Sequence, residues 1–92
     1  MRRFTVAEAA ILRELDRLAS NGGLTGNLAR RLFGPGASSA RVRRPCQVLA
    51  GIGLVERHPA NDQRWFITAA GRVEVARAAP APAAPMGERA DG

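Results

Sequence analysis

The sequence predicts a small, mostly helical α+β domain in which three helices lead into a two-stranded β-hairpin, with a further helix after it. Three observations carry this. Before residue 52, apolar residues recur at spacings of three and four through three segments, and glycine clusters separate the segments. Beyond Gly53, Leu54-Val55-Glu56-Arg57 and Trp65-Phe66-Ile67-Thr68 have the apolar, β-branched and aromatic content of strands and flank a turn-forming stretch. Within the third segment Val42, Cys46 and Leu49 share one helix face, which turns Arg43, Arg44 and Gln47 outward.

The first helix begins at Thr5-Val6-Ala7-Glu8, a capping box in which the threonine oxygen and the glutamate three residues on satisfy free amides at a helix start. Ile11, Leu15 and Leu18 form its apolar stripe, and Arg13, Glu14 and Arg17 face solvent. Glu8 and Asp16 are read with Glu14 as its solvated outer side. Asn21-Gly22-Gly23 ends it, because glycine accepts the left-handed backbone of many helix ends. Thr25 is read as the cap of a short second helix that buries Leu28, Ala29, Leu32 and Phe33 and stops at Gly34-Pro35-Gly36. The connection that follows is longer than the three to four residues usual between the helices of a helix-turn-helix.

The third helix contains Pro45, which lacks an amide hydrogen and in a helix interior costs ~3 kcal/mol. It is therefore expected in the first turn or at a kink. Ser38 to Arg41 is read as a loosely wound entry, with regular helix from Arg41 or Val42. Arg41, Arg43 and Arg44 then sit at the positive end of the helix, where free amides and the dipole attract anions. Gly53 closes this helix, and Pro59-Ala60-Asn61-Asp62 makes the hairpin turn. Ala69 to Ala79 forms the last helix, broken only by Gly71, with Val73, Val75 and Ala76 as a weak apolar side. Residues 1–79 thus make one domain, and the Ala/Pro-rich residues 80–92 read as a disordered tail.

Composition narrows the function classes. All 14 basic residues are arginine, against 8 acidic ones, and the net charge is +6. Between Arg30 and Arg64 seven arginines face only Glu56 and Asp62, so the excess concentrates mid-chain. An acidic polymer suits such a surface, since each neutralised phosphate releases condensed counterions, and guanidinium groups fork onto phosphate or onto guanine. No metal or cofactor is expected: His58 has no partners at ligand spacing, Gly34-Pro35-Gly36 is a turn, and the lone Cys46 reads as a packed thiol. No serine or cysteine has a histidine and carboxylate placed to activate it, so an enzyme is not expected. No stretch approaches the roughly 20 apolar residues of a membrane span, and a cytoplasmic protein is the simplest expectation.

Three helices and a hairpin, with G-L-V-E-R closing the third helix and I-T-A-A-G-R after the hairpin, resemble bacterial winged-helix transcriptional regulators of the MarR-like kind. In that family a serine- and threonine-containing segment precedes a helix whose valine and leucine lie seven apart, the places filled here by Val42 and Leu49. Asp62-Gln63-Arg64 matches the Asp-x-Arg near the wing tip, and Ile67-Thr68-Ala69-Ala70-Gly71 matches the Leu-Thr-x-x-Gly phrase. The likeness covers residues 5–77. The chain is too short for the extra terminal helices of that family, so a small-molecule effector is not expected. A homodimer, if formed, would use the first helix or the segment after Gly71.

The resemblance implies binding to double-stranded DNA. Arg43, Arg44 and Gln47 would enter the major groove, Gln47 facing adenine and the arginines guanine or phosphate. Ser38, Ser39 and Arg41 would hold backbone phosphates. Arg57 and Arg64 would lie on the wing, Arg64 being the residue for the minor groove. Two plainer readings stay open: the Arg41–Arg44 cluster as a solvated face, and Arg64 as a partner of Asp62. At the level of function, the alternative is a winged-helix module that binds protein and never DNA.

Overall fold

Thr5 and Glu8 exchange both hydrogen bonds of the capping box at 3.0 Å and open the first helix, α1 (Val6–Leu18). In the computed structural model, which describes residues 4–78, Glu8 is buried rather than solvated, because its carboxylate is turned back onto the Thr5 amide. Glu14 is not free in solvent either: Arg17 and Arg31 both hold its carboxylate, Arg31 at 2.7 Å. Among the described residues the fold is α+β and mostly helical, with four α-helices and a three-stranded antiparallel sheet.

The sheet has one strand more than the expected hairpin. After a short 3-10 turn (Ala19–Asn21), β1 (Gly23–Leu24) pairs with the far side of the hairpin before α2 (Thr25–Phe33) begins. The glycines that end α1 therefore do a second job. Gly22 has φ +67°, and a Cβ there would stand 2.6 Å from the Trp65 carbonyl oxygen, so only glycine lets β1 approach. Because Leu24 is paired with Arg64, it serves as the N-cap of α2 without a side-chain bond. Thr25 is consequently the first helical residue, not the cap, and its buried hydroxyl donates to Gln63 Oε1 at 2.6 Å.

A six-residue connection leads to α3 (Ala40–Gly51), whose Val42, Cys46 and Leu49 are fully buried, as their spacing predicts. Pro45 is the sixth residue of this helix, past the first turn, and so cannot supply the bond that the Arg41 carbonyl would accept. β2 (Val55–His58) and β3 (Asn61–Ile67) follow, and the sheet order is β1-β3-β2. The turn is only Pro59-Ala60, and Asn61 and Asp62 already belong to β3. The core lies between the helices and the sheet: Ile11 and Leu15 from α1, Leu28 from α2 and the α3 trio meet Val55, Trp65 and Ile67.

α4 (Ala69–Ala78) runs through Gly71 unbroken. Thr68 starts it, accepting the Gly71 amide on its hydroxyl at 3.0 Å while donating to the Gly53 carbonyl at 2.7 Å. Val75 packs partly against the core, whereas Val73 is 53% exposed and Ala76 is exposed. Ala79, expected to end this helix, and the expected tail 80–92 lie outside the described residues. Among the described residues no helix is long and apolar enough to cross a membrane.

Candidate nucleic-acid interface

The inward trio of α3 determines what the helix offers outward. With Val42, Cys46 and Leu49 at 0% exposure, the 3.6-residue repeat leaves Arg43, Arg44 and Gln47 on the solvent side, and all three are exposed. Arg44 and Gln47 have no hydrogen-bond or ion-pair partner among the described residues, and the Arg43 guanidinium reaches only the Ser39 hydroxyl, at 3.4 Å. Among the described residues neither arginine meets a carboxylate. The face is a cationic ridge with one amide beside it.

At the head of the ridge Arg41 lies over the Phe33 ring, its guanidinium carbon 4.3 Å from the ring centroid. Such a contact contributes ~0.5–1 kcal/mol at an exposed site and ties the start of α3 to the end of α2. The expected loosely wound entry over Ser38–Arg41 is cut short, because regular helix already begins at Ala40. Ser38 accepts the Ala40 amide on its hydroxyl at 3.1 Å, the Ser38 carbonyl takes the Arg41 amide, and the Ser39 carbonyl takes those of Val42 and Arg43. The first amides of α3 are thus already satisfied and are not free to receive an anion, contrary to the expectation from a bare helix start. The Ser38 and Ser39 hydroxyls still carry protons that an incoming oxygen can accept.

The hairpin arginines separate. Arg57 is exposed on β2 with no partner among the described residues. Arg64 is half-buried on β3, and its guanidinium donates to the Asn21 carbonyl, at the far side of β1 from the Pro59-Ala60 turn. The reason is a break in register: pairing runs Arg57↔Trp65 and then jumps to His58↔Asn61, so Asp62, Gln63 and Arg64 fall between, and Arg64 pairs with Leu24 instead. Asp62 takes a long contact from Gln63 at 3.4 Å and forms no ion pair with Arg64. Arg64 therefore does not stand at the hairpin tip, where a wing residue for the minor groove is expected.

Sequence reasoning missed the groove beside Ser39. An open depression of about 410 Å³ is walled by the start of α2, by Ser39 and by Asn61 and Gln63 of the hairpin, with Asn27 and Arg30 along its edge. The Thr25–Gln63 hydrogen bond holds its two sides together. No local pattern brings residues 25, 39 and 63 together; the β1–β3 pairing does.

Cys46 is fully buried, and burial pushes its thiol up to about 12, so it stays protonated and inert at neutral pH. Among the described residues no group of three or more His, Cys, Asp or Glu side chains is placed to hold a metal ion. Comparison with known proteins finds no matching family model, no matching curated protein and no matching solved structure.

Proposed function

We propose that this domain is a winged helix that binds duplex DNA and acts as a small transcriptional regulator, with α3 in the major groove and the β2–β3 hairpin along the backbone. One observation carries the reading: Arg43, Arg44 and Gln47 stand together on the solvent side of α3, unopposed by any carboxylate among the described residues, because the opposite face is locked in the core. Two guanidinium forks and one carboxamide are the donor set that reads guanine and adenine edges, each good pair contributing ~1–3 kcal/mol of discrimination. Ser38, Ser39 and Arg41 at the head of the ridge and Arg57 on β2 would serve as phosphate contacts, which set orientation and make affinity fall with salt. Arg64, engaged at Asn21, is left out of this surface.

A titration of mixed-sequence duplex into isotope-labelled protein tests the placement. Amide shifts are expected across residues 38–48 and at Arg57, with α1 and α4 nearly unmoved. Shifts confined to α1 and α4, or none at low salt, contradict it. A second reading, a module for protein contact, is favoured by Val48 of α3 and Ile52 just past its end, which are 39% and 44% exposed. A protein partner covering them would lack the steep salt response of a phosphate polymer.

A further inference from the structure

Away from the α3 ridge, the last half of α1, β1 and α2 enclose an open cleft of about 480 Å³, within the range of small-molecule sites. Its walls hold four arginines, Arg17, Arg30, Arg31 and Arg64, against a single carboxylate, Glu14. Glu14 is already spoken for. Arg17 and Arg31 both bind it, and the Arg17 hydrogen bond holds its carboxyl below the usual range, so it stays ionised and neutralises one of the four charges. Among the described residues Arg30 and Arg64 find only uncharged acceptors, the Asn27 side chain and the Asn21 carbonyl.

Arg64 is half-buried as a residue, but its guanidinium lies at the surface, where it spends one donor on the Asn21 carbonyl and keeps the others for a charged acceptor. Leu18, Leu24 and Leu28 line the same cleft, which limits competition from water.

We propose that this cleft is a binding site for a small anion bearing a phosphate or carboxylate group, held by Arg64 from the sheet and Arg30 from α2. Two guanidinium groups from different elements line the same cleft and offer donors suited to the oxygens of such a group, whose charge offsets the excess that Glu14 leaves. Bound there, the anion joins β3 to α2 and stabilises the native state, since the unfolded chain does not assemble the site. The inference stands on the cleft and its charges and does not depend on DNA binding.

The test uses the full chain at constant ionic strength, with chloride exchanged stepwise for inorganic phosphate or for citrate. Saturable shifts of the Gly22, Gly23 and Leu24 amides and a rise in Tm are expected with at least one of them. A stronger response to phosphate assigns a phosphate-bearing ligand, and a stronger response to citrate a carboxylate-bearing one. Arg64→Gln and Arg30→Gln should each weaken the response about tenfold, the loss expected for one charge-assisted hydrogen bond. Arg13→Gln, on the exposed side of α1, should leave it unchanged. Arg30→Gln keeps the test open if Arg64→Gln fails to fold. No saturable response to either anion, or an equal response in folded Arg64→Gln and Arg30→Gln, overturns the proposal. So does loss of duplex binding in Arg64→Gln without an anion response, which would assign the cleft to a DNA phosphate.

Discussion

Gly71 passes so close to Leu54 that a Cβ on it would stand 2.2 Å from the Leu54 carbonyl oxygen. The Thr68 hydroxyl sits beside this contact, bridging the Gly53 carbonyl and the Gly71 amide, and the Thr68 amide donates to the Leu54 carbonyl at 3.0 Å. Together they clamp α4 onto the segment that leaves α3.

Replacing Gly71 by alanine sets two effects against each other. Helix propensity favours alanine by ~1 kcal/mol, while forcing a methyl into packed backbone costs ~1–3 kcal/mol. The obstacle is a carbonyl that cannot swing aside, so the second effect wins. Gly71→Ala is expected to lower Tm by several degrees in a calorimetric scan. Gly51→Ala is the counter-case: a Cβ there meets nothing within 4 Å, and the change is expected to be neutral or stabilising by up to ~1 kcal/mol. Equal effects of the two would contradict the α4 packing.

Thr5→Ala removes one arm of the capping box and leaves the other without its reciprocal partner. A loss of about 1 kcal/mol is expected in denaturant unfolding, with an unchanged m-value. Glu8→Ala should cost at least as much, because that side chain is also buried. No loss in either variant would show that the box does not hold the start of α1.

Cys46 gives a pH dependence of definite sign. Burial raises the thiol from its ordinary 9.0 to about 12, so the folded state keeps its proton where the unfolded chain has lost it. The stability linked to this group is complete below pH 9 and is lost as pH rises from 9 to about 12. Cys46→Ala should flatten that fall in urea titrations. Alkylation by a thiol reagent at pH 8 should be slow in native protein and fast in denaturant. Rapid native labelling would place the thiol outside the core.

The side of the fold that follows from single elements was legible in the sequence. The capping box, the inward trio of α3 and the strand character of residues 65–67 depend on neighbours a few positions away. The outward placement of Arg43, Arg44 and Gln47 on α3 was legible for the same reason: which residues point out follows from which point in. What escaped depends on contacts between distant segments. β1 is two residues long, too short for any pattern, and exists because Gly22 admits the Trp65 carbonyl. That strand takes Leu24 as the N-cap of α2, moves Thr25 into the helix and onto Gln63, and pairs with Arg64 behind the register break. Asp62-Gln63-Arg64 looks like a hairpin tip in sequence because nothing local reveals that break.

The most direct test of the proposed duplex binding is a salt series. Labelled mixed-sequence duplex is titrated at several salt concentrations with wild type and with the Arg43→Ala, Arg44→Ala double variant, whose exposed side chains leave the core intact. The expected result is a Kd for wild type that weakens linearly in log–log form with salt, and binding largely lost in a double variant of unchanged Tm. No wild-type binding at low salt, or a folded double variant that binds as wild type does, would contradict the reading of α3 as the DNA-contacting helix.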